Sequence, residues 1–283
     1  MPKIAVVTDS SALLPNDLAN QYAIRIAPLT VTWGSDTYLD GVEITPPEFY
    51  RRLREHPVHP STTQPNPEDF IRLFDELAKD YAGIVVPLIS SELNGSVRSA
   101  SIAAEQFANM PIRVVDTRTA AMGLGFSVLA AARAATSGKS IDEVEQNARN
   151  VASMVKVFFV ADTLKYLHRS GKIGGAARLV GTTFALKHMF HLHEGRIEAL
   201  ERVRTKHKAV ERMVELAQQY VNGTPVRASI MHANALREGE ALKKKVGELF
   251  RCSELHLTEL SPVIAANTGP GTLGLAICPD GFS

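Results

Sequence analysis

Short apolar segments alternate with helix-like segments through the first half of the chain, and this alternation constrains the fold more than any other feature. Four strand candidates are short and rich in Val and Ile: 3–8, 24–32, 83–89 and 112–116. Helical patterns follow them: 45–55, 67–81, 96–109 and 120–137. Strand and helix in alternation favour a parallel sheet with helices on both faces. We therefore predict an N-terminal α/β domain built as a parallel-sheet sandwich.

Two helix starts in this half carry clear sequence signals. Asn66 is a good N-cap, and Pro67 follows it at the first helical position with acidic residues in the first turn. Ser140 and Glu143 have the spacing of a capping box, which predicts a helix from there to about residue 153.

The second half has a different pattern. Strands are expected at 157–162, 226–232, 254–260 and 273–278, with helices at 206–220 and 236–250. A turn at Glu194–Gly195 predicts a hairpin. Hairpin and strand–helix–strand units together indicate a mixed, largely antiparallel α/β domain. We place the N-terminal domain at 1–157 and the C-terminal domain at 158–283.

Composition limits the classes of function. The chain has 283 residues, and 45% of them are hydrophobic. Its formal charge of +1 does not indicate the basic surface that nucleic-acid binding requires. Cys252 and Cys278 have no metal or redox spacing and suit a reducing compartment. The N-terminus lacks a signal-peptide pattern, and no apolar run approaches the roughly 18 residues of a membrane span. We expect a cytoplasmic protein without integral membrane association.

Hydroxyl and amide side chains gather where apolar strands end and in two loops. These polar segments are Asp9-Ser10-Ser11, Ser90-Ser91 with Asn94-Gly95-Ser96, Asp116-Thr117, Ser61-Thr62-Thr63-Gln64 and Asn267-Thr268-Gly269-Pro270-Gly271. In open α/β sheets, ligands bind just beyond the carboxyl ends of strands. Neutral donors without an evident nucleophile–base pair suit the binding of an anionic head group.

Other motifs have simpler interpretations. The segment 269–274 matches GxGxxG, but it precedes a strand instead of opening a helix, so no dinucleotide site is expected. His188, His191 and His193 beside Glu194 match no strong metal spacing, and we interpret them as a solvated hairpin rim. We expect neither a metal nor a cofactor.

Nine segments of the chain together resemble the DegV family, the fatty-acid-binding proteins that serve bacterial fatty acid kinase. They are VTDSSALLP (7–15), APLTV (27–31), YLDGVEI (38–44), STTQP (61–65), ISSELNGSVRSA (89–100), VVDTRTAAMGLG (114–125), TLKYLHRSGKIGGAARLVG (163–181), VRTKHKA (203–209) and NTGPGTLGLA (267–276). Each is weak alone, but their number and order over essentially the whole chain make the resemblance specific.

The resemblance implies two α/β domains with a long-chain fatty acid buried between them. It also implies that the carboxylate lies at the surface end of the tunnel. A separate ATP-dependent kinase then phosphorylates this carboxylate, so the protein presents a substrate and has no turnover of its own. The bound fatty acid is the ligand, and catalytic residues are not expected.

Carried over position by position, the family motifs show departures in this chain. Thr62 matches the loop threonine, and Asn94 stands where the family has serine. Lys172 replaces an arginine, and Asn267 replaces a histidine. The expected ligand-binding set is Thr62, Thr63, Ser91, Asn94, Gly95, Ser96, Lys172, Asn267 and Thr268. Arg202 and Arg204 are expected to face the kinase.

Structural roles remain open for the same residues. Thr62 and Thr63 suit a turn between prolines, Asn94 suits a plain helix N-cap, and Asp9 suits the end of the first strand. The candidate lining of the acyl tunnel is Leu29, Ile84, Val86, Ile102, Leu164, Ile173, Leu179, Phe184 and Ile277. Two alternative functions stay open: a hydrolase or transferase acting on a small amphiphilic acid, and a carrier of an amphiphile other than a fatty acid.

Overall fold

The computed structural model describes residues 3–56, 58–172 and 187–281. The strands are β1 (Ile4–Asp9), β2 (Arg25–Ala27), β3 (Thr30–Trp33), β4 (Asp36–Leu39), β5 (Ser61–Thr63), β6 (Gly83–Leu88), β7 (Ile112–Asp116), β8 (Lys156–Ala161), β9 (Lys187–His193), β10 (Arg196–Val203), β11 (Val226–His232), β12 (Cys252–Glu259) and β13 (Leu273–Pro279). The α-helices are α1 (Asn16–Gln21), α2 (Pro46–Glu55), α3 (Pro67–Leu77), α4 (Ser96–Ala104), α5 (Met122–Thr136), α6 (Ile141–Met154), α7 (Lys165–Arg169), α8 (Lys206–Val221), α9 (Leu236–Leu249) and α10 (Pro262–Thr268).

The first half forms a four-stranded parallel sheet in the order β2-β1-β6-β7, which confirms the predicted parallel sheet. Both expected helix starts are present. The backbone N–H of Asn66 donates to the Asp69 carboxylate at 2.9 Å at the start of α3. Ser140 and Glu143 form the capping box of α6, with 2.9 Å between Ser140 N and the Glu143 carboxylate.

A three-stranded sheet in the order β4-β3-β5 was not expected. The predicted strand at 24–32 is wrong as a single element, because β2 ends at Ala27 and β3 begins at Thr30 in the other sheet. Pro28 lies between them and has no N–H for a continuous ladder, so the chain leaves one sheet there. The segment around Thr62 was predicted as a loop, but it is the edge strand β5 paired with β3.

The second half forms a six-stranded sheet in the order β10-β9-β8-β13-β11-β12. All neighbours are antiparallel except β11 and β12, so the mixed, largely antiparallel prediction is confirmed. β9 and β10 form the predicted hairpin across Glu194–Gly195. The proposed boundary at residue 157 falls within β8 and stays a prediction.

Helix α5 lies between the parallel and the six-stranded sheets and contacts β1, β6 and β13. Most of its residues are buried, as expected for an alanine-rich helix that is apolar on every side. At its C-terminal end, Arg133 pairs with Glu254 of β12 at 2.8 Å, with side chains 25% and 21% exposed. Burial alone raises the pKa of Glu254, but hydrogen bonds from His256 and Arg133 outweigh burial and lower it to about 2. This ion pair therefore joins the two halves at neutral pH.

None of the helices within residues 3–56, 58–172 and 187–281 combines the length and the apolar character needed to cross a bilayer.

Candidate ligand-binding site

A cavity of about 820 Å³ lies between the first half of the chain and the six-stranded sheet. Residues of β8, β9, β10, β11 and β13 line one side of it, and the other side comes from the first half and α10. Most of the wall is apolar: Leu29, Ile89, Val157, Phe159, Met231 and Leu260.

The register of the six-stranded sheet explains which side chains face the cavity. Phe159 is the Cα partner of Gly274, and Gly274 is the partner of Met231, so the three share one face of the sheet. Val157 lies two residues from Phe159 and therefore points to the same side. Gly274 has no side chain, and the Met231 side chain packs over it: a Cβ at this position would lie 3.0 Å from Met231 Cε.

Polar residues line the same cavity and belong to four separate segments. Thr62 and Thr63 lie on β5, Asn94 precedes α4, and Lys172 follows α7. Asn267 and Thr268 end α10. The structure therefore brings six of the nine expected ligand-binding residues to one cavity.

Asn267 and Thr62 are in direct contact. The amide Nδ2 of Asn267 donates to Thr62 Oγ1 at 3.4 Å and to the carbonyl of Val263 at 2.7 Å. These two bonds engage the amide nitrogen that was expected to contact the ligand. Because the Thr62 oxygen accepts from Asn267, the hydroxyl hydrogen of Thr62 is available to donate into the cavity. Asn267 thus orients Thr62.

Asn94 makes a structural hydrogen bond and also lines the cavity. Its Oδ1 accepts a hydrogen bond from the backbone N–H of Ser96, the first residue of α4, at 2.9 Å. The N-cap of α4 is Gly95, so the expectation that Asn94 is the N-cap is wrong by one residue. The bond to Ser96 uses the amide oxygen, so the amide nitrogen is the donor that remains for the cavity. Gly95 lets the segment before α4 approach Gln64, the residue after β5. A Cβ at this position would lie 2.9 Å from the Gln64 side chain.

Lys172 places a cation beside Asn94. Its ammonium donates to the backbone carbonyl of Leu93. Burial lowers the pKa of Lys172, as expected for an ammonium removed from water. The polar end of the cavity therefore combines hydroxyl and amide donors with one amine.

The sequence patterns did not predict helix α10, which carries Asn267. They indicated only the glycine-rich segment that follows this helix. The signal was present, since Ser261 is a good N-cap and Pro262 occupies the first helical position. Pro262 has no N–H, and the N–H of Val263 donates to the Asp40 carboxylate at 3.3 Å. Ser10 Oγ supports the same carboxylate from a distance of 2.7 Å.

The turn after α10 requires glycine at two positions. Gly269 and Gly271 have φ of +83° and +80°, which disfavours other residues. A Cβ on Gly269 would clash with the Tyr166 ring, and one on Gly271 would clash with the Asp162 carboxylate. The GxGxxG match at 269–274 is therefore a tight turn into β13.

Three expected contacts lie outside the cavity lining. Ser91 donates to the Asp116 carboxylate at 2.5 Å and is exposed. Ser96 is fully buried next to Asp9, and Gly95 packs on Gln64. Asp9 accepts hydrogen bonds from the backbone N–H groups of Ser11 and Ile89, which confirms its structural role at the strand end.

The remaining candidates have scattered positions. Arg202 on β10 and Arg204 just after it are exposed. Of the tunnel candidates, Leu29 lines the cavity, but Ile84, Val86 and Ile277 lie in separate cores and Ile102 is 42% exposed. Leu164 packs against a small cluster with Leu167. Ile173, Leu179 and Phe184 lie outside the described residues.

The β9 histidines differ in exposure: His193 is exposed, but His188 is buried, so the prediction of a solvated rim is wrong for His188. His191 stacks on His193 with 5.4 Å between ring centroids. In the described part of the chain, no three His, Cys, Asp or Glu side chains are grouped so as to hold a metal ion.

Sequence comparison identifies the family. A model of the DegV family, described as uncharacterised proteins, matches residues 3–280. The chain belongs to the DegV family. A DegV domain-containing protein of Streptomyces coelicolor is 39% identical over 277 residues, which cover 97% of this chain and 98% of that protein. Protein DegV of Bacillus subtilis is 29% identical over 277 residues, with coverages of 97% and 99%.

Solved DegV structures have the same fold. A DegV family protein from Thermus thermophilus, described as binding fatty acid, superposes with a TM-score of 0.92 at 36% identity over 98% of this chain and 99% of its own. DegV of Bacillus subtilis, described as a fatty acid binding protein, has a TM-score of 0.91 at 29% identity, with coverages of 99% and 100%.

The carboxylate that caps α10 gives this DegV-family chain a testable pH dependence. Burial raises the pKa of Asp40 from 3.8 to about 6, against hydrogen bonds from Ser10 and Val263 that lower it. The pKa of Asp40 is higher in the folded than in the unfolded chain, so the folded state binds the proton more tightly. This contribution to the free energy of unfolding is complete below pH 3.8 and is lost as the pH rises through 6. At 1.36 kcal/mol per pKa unit, the loss amounts to about 3 kcal/mol.

Asp40→Asn removes this titration and keeps an oxygen for Val263. We expect the free energy of unfolding of the wild type to fall relative to Asp40→Asn, by up to about 3 kcal/mol between pH 3.5 and 7.5. Denaturant unfolding at several pH values measures the difference. Asp36→Asn, at an exposed position of β4, the strand that ends just before Asp40, controls for the loss of one charge. Parallel pH profiles of the wild type and Asp40→Asn would contradict the assignment.

Proposed function

We propose that this protein binds a long-chain fatty acid in the cavity between its two halves, with the carboxylate at the polar end. One observation carries the proposal: an apolar cavity of about 820 Å³ has Thr62, Asn94 and Lys172 gathered in its wall. The related proteins of Thermus thermophilus and Bacillus subtilis, both described as binding fatty acid, support the same ligand class.

The apolar wall supplies the affinity. Each methylene removed from water contributes about 0.8 kcal/mol, so a chain of about 14 methylenes gains roughly 11 kcal/mol before the costs of ordering and association. This gain leaves room for tight binding. It depends on chain length and does not distinguish a carboxylic acid from another head group, so selectivity for an acid has to come from the polar end.

The polar end compensates for the desolvation of the carboxylate. A buried anion requires dedicated hydrogen bonds. The Thr62 hydroxyl and the Asn94 amide supply two donors, and the Lys172 ammonium adds an opposite charge. The start of α4 lies directly behind Asn94, where the positive end of the helix dipole favours an anion.

We further propose that the bound acid is the substrate of a separate ATP-dependent fatty acid kinase. In this reaction a carboxylate oxygen attacks the γ-phosphate of ATP and forms an acyl phosphate and ADP. The protein holds the acyl chain and presents the carboxylate, and the kinase supplies the nucleotide site. The exposed Arg202 and Arg204 would meet the kinase or its nucleotide phosphates.

Two alternatives predict different observations. A hydrolase or transferase would turn over its substrate without a partner and would lose this turnover in Ser91→Ala or Asp9→Ala. Neither residue lies in the cavity lining, which favours the carrier. A carrier of another amphiphile, such as an isoprenoid acid, would prefer that acid over straight-chain acids in competition.

Two substitutions test the head-group site. Asn94→Asp keeps the oxygen that accepts the Ser96 N–H but replaces the amide donor with an oxygen that repels a carboxylate. Thr62→Val keeps the shape of the side chain and removes the hydroxyl. A lost hydrogen bond to a charged group costs about 1.5–3 kcal/mol, so we expect each variant to bind palmitic acid at least tenfold more weakly.

Isothermal titration with delipidated protein measures this affinity, and thermal unfolding checks that the fold is intact. Thr37→Val, at an exposed position of β4, is the matched control and should bind like the wild type. Unchanged affinity in both site variants would place the carboxylate elsewhere. Absence of binding by the wild type would contradict the proposed function itself.

Reversing the charges of Arg202 and Arg204 distinguishes fatty-acid binding from presentation of the bound acid to the kinase. We expect Arg202→Glu combined with Arg204→Glu to retain wild-type affinity for palmitic acid, since both residues lie outside the cavity lining. Kinase-dependent ADP release with the loaded variant should fall at least tenfold. Arg237→Glu on α9 is the control for charge. Equal ADP release from wild type and double variant would remove these arginines from the kinase-facing surface.

A further inference from the structure

The tip of the β9–β10 hairpin, residues 192–197, is attached to the rest of the sheet less firmly than the base of the hairpin. β9 pairs with β10 as far as His193 and Arg196. Its pairing with β8 ends earlier, at His191 and Phe158. Since β10 is the edge of the sheet, the described part of the chain places no third strand beside the tip. A two-stranded hairpin alone is marginally stable in water, so the tip depends on its contacts with the first half of the chain.

The inner face of the tip covers the cavity. Leu192 and Ile197 are cross-strand partners, and both line the cavity. They share one apolar cluster with Leu93, which also lines the cavity. Leu93 directly precedes Asn94, so the tip lies beside the polar end at which we place the carboxylate.

Two polar contacts hold the tip against the first half. The Arg196 guanidinium pairs with the Glu92 carboxylate at 2.9 Å, with side chains 60% and 33% exposed. Arg118 donates to the backbone carbonyl of Glu194 in the turn. An exposed ion pair contributes little to stability, so these contacts can break and form again without a large cost.

The turn of the hairpin also makes a close backbone approach. Gly195 has a φ of +83°, and a Cβ at this position would clash with Ser90 Oγ. The Ser90 carbonyl in turn accepts the N–H groups of Leu93 and Asn94 at 2.9 and 3.2 Å. The tip therefore docks on the same short turn that carries Asn94.

The other flank of the tip faces a polar cleft. Leu192, His193 and Glu194 border this cleft, and Arg149 and Ser153 of α6 lie across it. Apolar packing thus holds the tip on its cavity side, and the cleft leaves space beside it for movement.

We propose that residues 192–197 form a flap that lifts from Ser90 and Glu92 to let the fatty acid enter and leave, and that covers the bound acid when it is docked. This inference rests on the proposed fatty-acid binding. Lifting exposes Leu192 and Ile197 to water, which keeps the open state rare. Loading and release both require the open state, so a change that favours opening accelerates both by the same factor and leaves the affinity unchanged.

A charge swap tests the ion pair that holds the flap. Arg196→Glu places two carboxylates side by side, and we expect the association and dissociation rate constants of cis-parinaric acid to rise together, by about fivefold. The equilibrium affinity should stay within about twofold of the wild type. Arg196→Glu combined with Glu92→Arg should restore both wild-type rates. Stopped-flow fluorescence measures the rates, and Glu198→Gln, within the part of β10 that lies beside the β8–β9 ladder, is the control for charge.

Gly195→Asn tests the docking of the turn. Asn tolerates a positive φ, but its Cβ would meet Ser90, so we expect both rate constants to rise as in Arg196→Glu. Hydrogen exchange of the delipidated protein gives a readout without ligand. The amides of residues 192–197 should exchange faster in both variants than in the wild type. The amides of residues 188–191, which remain beside β8, should keep their wild-type protection.

Three outcomes separate the flap from the proposed function. Wild-type loading and release rates in both Arg196→Glu and Gly195→Asn overturn the flap and leave fatty-acid binding intact. Faster release without faster loading also overturns it, because the variants would then weaken the bound state alone. Failure of the wild type to bind any acid contradicts the proposed function, and the hydrogen-exchange comparison then still decides whether the tip undocks.

Discussion

The contact between the three-stranded sheet and α10 determines the geometry of the candidate site. Asp40, just after β4, accepts the N–H of Val263 at the start of the helix. Thr62, on β5, accepts from Asn267 at the end of the helix. Both ends of α10 are thus held by residues in or directly beside one small sheet from the first half of the chain. The position of this helix against the sheet sets the position of the Thr62 hydroxyl.

This arrangement requires the burial of the Asp40 carboxylate, which is unfavourable. Asp40 is only 2% exposed, and its carboxylate would be more stable in water. Pro262 leaves the Val263 N–H as a donor at the start of α10, and hydrogen bonds from Val263 and Ser10 compensate for part of the burial. The buried Asp40 carboxylate is therefore unfavourable by itself, but it holds α10, and α10 carries the Asn267 that orients Thr62.

Much of the architecture could be predicted because local signals agree with it. The Val-rich strands, the Asn66 and Ser140 caps and the hairpin at Glu194 depend on neighbours in sequence. The three-stranded sheet could not be predicted, since β5 is three residues long and its pairing with β3 spans about 30 residues. The break at Pro28 was visible, but its consequence depends on a sheet that only the fold creates.

The same reasoning applies to the candidate site. Thr62, Asn94, Lys172 and Asn267 were found through family motifs, and the cavity lining includes all four. The bonds of Asn267 to Thr62 and Val263 depend on how α10 docks, so its orienting role was not predictable. Nor was the lining: Ile84 and Val86 have the same strand pattern as Val157 and Phe159, but they face a separate core. A sequence pattern identifies a buried face and does not show whether protein or ligand covers it.

A crystal structure of the protein loaded with palmitic acid tests the central claim most directly. The account predicts continuous elongated density in the cavity lined by Val157, Phe159 and Leu260. One end of it should lie within hydrogen-bonding distance of Thr62 Oγ1 and Asn94 Nδ2. Side chains that fill the cavity completely, or a carboxylate bound away from both residues, would contradict it.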